Sequence, residues 1–582
     1  MTPTFDNKNL VKRKIGIQDF VVVTIVLAVL YLIVDLGQGM NIPFSPEHKI
    51  AISLSPWELP YYAARSLFRM FIAYFLALLF SLVYGYIAAK NKVAEQILVP
   101  ILDILQSIPV LCFLSATIIA FIAAFPGRLL GVECAAIFAI FTGQAWNITF
   151  SFYNSLKTVP KDLTEAAAVL RLNWWQRFLK LELPFSMIGL VWNSMMSFGG
   201  AWFFLAASEA ISVLNENILL PGVGSYLSTA IDSGNMPAIV YSVIAMIIMI
   251  VGVDQFLWRP LVVWSQKFKI EMSEASSQPT SWVYDLLNNS KAVDWLTESV
   301  FAPLLKFFNT AVNHFATATE QSMNVIKRSP RSATIDKTVK YFFVAAFSIL
   351  FLRALYVDVM FALSLGIDKL FGVALLGFYT FLRVLAAVLL GALWTIPVGV
   401  WIGTNPRAAK TMQPIVQIAA SFPSNMLFPF VTLLFLRFGA NFDIGCVALM
   451  MMGTQWYILF NVIAGAMAIP NDLHEAGAVF KLRGWSRWKK LILPSIFPFL
   501  ITGAITASGG AWNASIVSEL VNWHDKTLQA TGIGAYIADV TNKGEWNGII
   551  WGTTVMCVFV VITNRLLWRK LYSLAESKYR LD

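Results

Sequence analysis

The chain has 582 residues, of which 58 % are hydrophobic and only 13 % charged, with a mean hydropathy of +0.67. A water-soluble domain carries about 25 % charged residues, so there is too little polar surface here to cover a globule, and disordered, collagenous and disulfide-scaffold classes are excluded as well. The 43 Lys plus Arg against 33 Asp plus Glu give a net charge of +10; in a polytopic membrane protein such an excess belongs to cytoplasmic loops and calls for no nucleic acid partner.

Lys8, Lys12, Arg13 and Lys14 precede the first apolar run, Phe20 to Val34, and no small-residue cleavage site follows it, so a retained anchor is expected. A spanning helix needs about 20 apolar residues, because the hydrocarbon core offers its backbone no other partner. Charge-free runs of that order lie at 70–89, 104–127, 135–156, 185–208 and 233–253, and again at 384–406, 411–436, 444–470 and 495–518, with a shorter one at 547–564. The run 341–357 is weaker, since Arg353 interrupts it and Asp358 follows. Six spans per half are expected, in an all-α membrane protein.

The basic amino-terminal stretch places that terminus in the cytoplasm, and the loop from Gly37 to Pro60 holds only Lys49 among lysines and arginines, as an outside loop should. Alternation then puts two basic segments inside: 157–182, with Lys157, Lys161, Arg171, Arg177 and Lys180, and 471–492, with Lys481, Arg483, Arg487, Lys489 and Lys490. An even number of spans per half satisfies both and leaves the carboxyl terminus cytoplasmic too.

The two halves repeat each other. Gly199-Gly200-Ala201-Trp202 recurs as Gly509-Gly510-Ala511-Trp512, Ser208-Glu209 as Ser518-Glu519, and Pro160, Glu165, Trp175, Pro184, Gly222, Gly224 and Tyr226 as Pro470, Glu475, Trp485, Pro494, Gly532, Gly534 and Tyr536, all at an offset of 310. Upstream, Arg69, Pro100 and Ser107-x-Pro109 pair with Arg383, Pro414 and Ser421-x-Pro423 at an offset of 314. Copies that start from the same side of the membrane are parallel repeats about an axis along the membrane normal, with a pathway between them. The chain therefore divides into a first half, 1–258, a connector, 259–338, and a second half, 339–582. Within the connector Val293, Leu296, Val300, Leu304, Phe308, Ala311 and Phe315 keep a helical spacing. It reads either as an amphipathic segment lying on the membrane or a partner, or as a linker packing its apolar side on its own chain.

The most specific pattern lies in the two basic loops. Pro160-Lys-Asp-Leu-Thr-Glu165-Ala166-Ala167 leads to Arg171 and Leu183-Pro184; Pro470-Asn-Asp-Leu-His-Glu475-Ala476-Gly477 leads to Lys481 and Leu493-Pro494. Proline starts a helix well, and the small residues after each glutamate let another backbone approach closely. These segments resemble the Glu-Ala-Ala loops of ABC importer permeases, whose coupling helix docks into a groove of the ATPase subunit. The resemblance implies a type I importer permease fold, with Glu165 and Glu475 making polar contacts to the ATPase and Ala166, Ala167, Ala476 and Gly477 allowing close docking. The family's glycine is Arg171 in one copy and Lys481 in the other. Glycine takes a positive φ cheaply and these residues do not, so the turn is expected to shift toward Asn173 or Gly484, or to be replaced by another bend.

The stretches from Gly199 to Glu209 and from Gly509 to Glu519 resemble the fifth span of permeases for nitrate, sulfonates and taurine. The paired glycines read as helix-packing positions, and Trp202 and Trp512 as core residues or pathway lining. Arg69 and Arg383, with Ser208, Glu209, Ser518 and Glu519, carry two readings: an anion-attracting vestibule, or Arg–Glu salt bridges that order each bundle.

The function expected is that of a fused permease of an ATP-binding cassette importer for a small solute, an anion such as nitrate, sulfonate, taurine or bicarbonate, in the bacterial inner membrane. No G-x-x-x-x-G-K-[ST] loop is present, so ATP and Mg belong to two separate ATPase subunits, and an extracytoplasmic binding protein is the further partner that the resemblance implies. No catalytic or metal site is expected in this chain: His48, His314, His474 and His524 are scattered, and Cys112, Cys134, Cys446 and Cys557 form no CxxC pair. The rival reading is an ion-coupled secondary transporter, which has no need of two such loops.

Overall fold

Apolar segments without internal charge close their backbone hydrogen bonds as helices, and the molecule consists almost wholly of them. The computed structural model describes residues 17–40, 42–43, 50–107, 109–213, 216–268, 280–327, 367–439, 441–523 and 526–578, with scattered positions between 338 and 360. The first half runs α1 (Ile17–Gly39), α2 (Leu59–Lys90), α3 (Lys92–Ser107), α4 (Val110–Ala124), α5 (Leu130–Lys157), α6 (Lys161–Val169), α7 (Trp174–Arg177) and α8 (Leu183–Glu209). A hairpin of β1 (Ala210–Val213) and β2 (Glu216–Leu219) follows, then α9 (Val223–Asp232), α10 (Met236–Val253) and α11 (Arg259–Ser265). The connector holds α12 (Trp282–Asn288), α13 (Lys291–Leu296) and α14 (Ala302–Lys327).

The second half repeats the order: α15 (Ile367–Thr404), α16 (Pro406–Ser421), α17 (Phe428–Phe438), α18 (Phe442–Met467), α19 (Asn471–Val479), α20 (Gly484–Arg487), α21 (Leu493–Ser518), a hairpin of β3 (Leu520–Trp523) and β4 (Lys526–Gln529), α22 (Ile533–Lys543), α23 (Trp546–Thr563) and α24 (Arg569–Lys578). Among the described residues seven helices are long and apolar enough to cross a membrane, and one bent pair makes an eighth span. The span expected at 341–357 falls partly outside the described residues. The last helix of the first half is one rod from Met236 to Phe268, so the boundary expected at 258 lies within it; a π turn at Asp254–Trp258 accommodates Pro260 without a break.

Two expected spans are not continuous. The run 104–127 is divided between α3 and α4 around Pro109, and 411–436 between α16 and α17, which meet at 80°. A proline has no N–H to give and pushes the residue before it out of the helical region; Phe422, before Pro423, stands at ψ 125°, and the prolines at the two breaks, Pro109 and Pro423, are themselves extended at ψ 124° and 114°. Each break is met by the opposite half. The orphan N–H of Val110 donates to Asn513 Oδ1 at 2.7 Å, and Asn425 Nδ2 donates to the Phe203 carbonyl at 3.4 Å. Phe203 and Asn513 are equivalent positions, 310 residues apart.

At one end of each half a buried ionic clamp joins the helices. Arg69 on α2 donates to Glu209 on α8 at 2.7 Å and to both oxygens of Glu133 on α5, the Nη2 bond being 2.8 Å. Arg65 adds a 2.6 Å bond to Glu133. In the second half Arg383 on α15 reaches Glu519 at 3.0 Å and Asp443 on α18 at 2.5 Å. The Glu209 carboxylate also accepts from Ser66 Oγ (2.6 Å) and the Gly224 N–H (2.7 Å), and Glu519 from Thr380 Oγ1 (2.7 Å) and the Gly534 N–H (2.8 Å). The repeated glycines are explained here: a Cβ on Gly222 would lie 2.3 Å from the Glu209 carboxyl, and one on Gly532 2.2 Å from that of Glu519.

Between the halves, β1 touches α22 and β3 touches α9, so both clamps lie at the same end of the molecule. Helices α5 and α18 start at the clamps, with Glu133 and Asp443 in their first turns, and run to α6 and α19. The two loops of the repeated pattern therefore lie together at the other end, as parallel repeats require. Removing one partner of a buried ion pair costs about 3–5 kcal/mol. Arg69→Met and Gly222→Ala are each expected to destabilise the protein in detergent by an amount of that order, read as a fall of several degrees in the unfolding midpoint. Exposed Arg407→Ala should leave the midpoint unchanged, and fluorescence-detected gel filtration during heating makes the comparison.

Candidate functional site

The repeated pattern folds into two elbows. In each, a proline with extended ψ, Pro160 or Pro470, caps a nine-residue helix, α6 or α19. The helix then stops in a Schellman turn: Leu172 N–H donates to the Ala167 carbonyl (3.1 Å) and Arg171 N–H to that of Ala168 (3.0 Å), with Leu482 to Gly477 (2.9 Å) and Lys481 to Ala478 (3.0 Å) in the second copy.

The residue that takes the left-handed conformation is Arg171, at φ 50°, and Lys481, at φ 51°. The expected shift of the turn toward Asn173 does not occur: that residue is extended at φ −67° and caps α7. Gly484 is also left-handed, at φ 51°, as an addition in the second copy. The two Schellman bonds hold the bend where the helix ends, so the basic residues accept the strain. Past each elbow, π turns at Phe178–Glu182 and Trp488–Ile492 lead into α8 and α21. Their wider bonding accommodates Pro184 and Pro494, which would clash in a regular helix interior.

Glu165, Ala166 and Glu475 are exposed, Ala476 is half-buried, and Ala167 and Gly477 face inward. Nearest the bend, apolar side chains project into solvent: Val169 is 82 % exposed and Leu170 69 %, Val479 77 % and Phe480 76 %. They occupy equivalent positions in the two copies and have no counterpart in the expected site. The roots of the elbows differ. Buried Glu182 pairs with Lys90 at 2.6 Å and Arg177 at 2.8 Å, whereas its counterpart is Ile492. Next to the first root, Glu95 bonds Lys157 Nζ (2.8 Å) and Tyr153 Oη (2.5 Å), and the Lys157 ammonium holds its carboxyl below the usual range.

A cavity of about 640 Å³ lies between the halves. Asn147, Asn193 and Ser197 face it from the first half, and Tyr457, Asn461 and Asn513 from the second, with the break residues Phe422 to Ser424 at its clamp end and Trp568 toward the elbows. Among its described lining residues the only charged one is Asp103. Gly199, Gly200, Gly509 and Gly510 line it, although helix packing was the expectation. A Cβ on Gly509 would meet nothing within 4 Å, while one on Gly199 would meet Ser421 Oγ at 2.8 Å. Trp512 is part of the wall, but Trp202, its equivalent, lies outside it, packed on Phe198. Ser208 and Ser518 are buried beside the clamps.

Arg69, Arg383, Glu209 and Glu519 do not line this cavity; both guanidinium groups are occupied by carboxylates. Glu133, Asp443, Ser66 and Thr380 complete the clamps and were not anticipated. The acids recur at an offset of 310 and the hydroxyls at 314, so the register contained them, but as Glu against Asp and Ser against Thr they escape a search for identical residues. The left-handed turns supply a test. Arg171→Gly and Lys481→Gly relieve strain of about 1 kcal/mol each after glycine's larger unfolded-chain entropy is subtracted. The amides of Leu172 and Leu482 are then expected to exchange with deuterium roughly five-fold more slowly.

Comparison with known proteins follows the same division. The pattern of the family described as the binding-protein-dependent transport system inner membrane component matches residues 81–254 and, separately, 395–580. The chain is 26 % identical over 188 residues to a nitrate import permease protein of Leptolyngbya laminosa, a match covering 32 % of this chain and 61 % of that one. It is 28 % identical over 168 residues to a bicarbonate transport system permease protein of Synechocystis sp., covering 29 % and 57 %. A trimethylamine N-oxide transport system permease protein of Pelagibacter ubique is 22 % identical over 519 residues, covering 84 % of this chain and 68 % of its own length. The nitrate and bicarbonate matches thus span less than two thirds of those relatives. With two separate matches on two equivalent bundles, the chain belongs to the inner membrane components of binding-protein-dependent transport systems, as a fused ABC importer permease.

Proposed function

We propose that this permease moves a small oxygen-bearing solute, an anion such as nitrate, bicarbonate, a sulfonate or taurine, inward across the bacterial inner membrane. Two separate ATPase subunits drive it, and an extracytoplasmic binding protein delivers the solute at the clamp end. The elbow end and both termini face the cytoplasm. The observation that carries this reading is the pair of equivalent elbows at one end, each presenting a glutamate beside exposed apolar side chains. An apolar tip in water is a docking element awaiting a groove. Val169, Leu170, Val479 and Phe480 enter the ATPase grooves, and Glu165 and Glu475 make the polar contacts at their rims.

Each ATPase binds Mg and ATP and pulls its elbow toward the other when it closes. The long helices α8 and α21 carry that movement to the cavity walls, so the cavity alternates between the two sides. Its lining suits passage. Among the described residues Trp512 Nε1, Trp568 Nε1 and Ser424 Oγ are buried without a hydrogen-bond partner, and they offer neutral donors to an oxyanion or N-oxide oxygen. A solute held by such groups enters readily and is not trapped by a fixed cation. Selection then rests with the binding protein.

The test is uptake into proteoliposomes holding the permease, its ATPase subunits and its binding protein. Transport should require ATP; transport by the permease alone, driven by an ion gradient, would overturn the reading. Val169→Asp with Val479→Asp changes only exposed side chains and should abolish ATPase capture and reduce uptake at least ten-fold. Glu165→Ala with Glu475→Ala should weaken capture, and undiminished binding and uptake would remove those residues from the docking contact.

A further inference from the structure

The connector carries an apolar stripe that the described residues leave largely uncovered. Helices α13 and α14 are joined by a π turn at Thr297–Phe301 into one rod from Lys291 to Lys327, about 55 Å long at 1.5 Å per residue. At 100° per residue, Phe301, Leu304, Phe308, Val312 and Phe315 fall on one face, and Lys306, Thr310, Asn313 and Thr317 on the other. Along the apolar face Phe301 is 50 % exposed, Leu304 62 % and Phe315 65 %, and Phe307 at its edge is 78 % exposed. A linker that packed its apolar side on its own chain would show the reverse.

The rod is pinned at two points. At its start Asp19, in the first turn of α1, accepts from Ser290 Oγ (2.9 Å) and the Ala292 N–H (3.0 Å). Some twenty residues further on, Asn313 Oδ1 and Thr317 Oγ1 each lie 3.4 Å from Asn173 Nδ2, and the Phe308 ring meets Trp175 at 6.1 Å. Asp19 lies at the elbow end of α1, whose other end meets Arg65 beside the clamp, and Asn173 lies at the root of the span that continues into α8, so the rod runs across the elbow end of the first half. The preceding α12 keeps the same level, with Trp282 against Phe256 at 5.8 Å.

We propose that α14 lies in the boundary between headgroups and acyl chains of the leaflet at the elbow end, with Leu304, Phe307, Phe308 and Phe315 covered by lipid, and braces the first elbow from there. The occupant is lipid because the rod is tied to the elbow ends of α1 and of the span that continues into α8, and so lies at the level where such helices leave the bilayer. Lys291, Lys306 and Lys327 balance Asp294, Glu298 and Glu320, so apolar area and not headgroup charge holds it. The brace is one-sided. Trp485, the counterpart of Trp175, is 73 % exposed, so the two elbows differ in freedom although their bends match.

Nitroxide labels report this without reference to transport. The full-length chain, with its four cysteines replaced, carries a single labelled cysteine at Leu304, Phe307, Phe315, Lys306 or Thr310 and is reconstituted in phosphatidylcholine vesicles. Collisions with oxygen, which concentrates in lipid, are compared with those of a water-soluble nickel chelate. Oxygen is expected to dominate several-fold at Leu304, Phe307 and Phe315 and the chelate at Lys306 and Thr310, with no change in high salt. Dominance of the chelate at Leu304 and Phe315 would mean that the stripe stands in water. Exclusion of both reagents from Leu304, Phe307 and Phe315 would mean that protein covers it. Either result overturns the proposal and leaves the transport reading intact.

Discussion

A charge enters a dry interior only in the company of its opposite, and that constraint organises each half of this molecule. Arg69 is wholly buried and Arg383 nearly so, although its partner Asp443 is partly open to solvent, and each gathers carboxylates from elsewhere in the chain. Doing so brings α2, α5 and α8 together around Glu133 and Glu209, and α15, α18 and α21 around Asp443 and Glu519. The remaining carboxylate oxygens need donors, and backbone N–H groups at the starts of α9 and α22 supply them. The hairpins that lead to those helices are thereby held in place and touch across the two halves. The clamp end is the stiff end of the molecule.

Toward the other end the halves hold each other by weaker means. Each broken span lends its break to the opposite half, through Asn513 on Val110 and Asn425 on Phe203, and the cavity lies between them. Single neutral hydrogen bonds contribute about 1 kcal/mol each, and losing one strands no buried charge, as losing a clamp partner does. The walls formed by α8 and α21 therefore have a firm anchor at the clamps and a looser seat where they descend to the elbows.

The elbows show how closely two copies of one design can agree and where they part. Both keep a left-handed bend at a basic residue, at φ 50° and 51°, even though glycine would hold it with less strain. Below the bend the copies diverge: one root is ionic, around Glu182, and the other apolar, at Ile492. The connector helix α14 meets the first, at Asn173 and Trp175.

Much of this was legible in the chain. Composition required a membrane, the offsets of 310 and 314 required two parallel copies, and the paired Glu-Ala loops pointed to the elbows. Arg69 with Glu209 was already one of two readings, because a buried charge must be either paired or hydrated. Pro109 and Pro423 were visible as repeated residues, but the runs around them read as unbroken spans, since hydropathy averages over a proline and backbone geometry does not. Which carboxylates each arginine reaches, which loop residues are left in water and which face of the connector stays bare depend on distances between segments separated by tens to hundreds of residues. Residue chemistry and spacing set the local conformation, the period of burial and the repeat; contacts between distant segments arise only when the helices pack, and packing decided the clamps, the cavity and the one-sided brace.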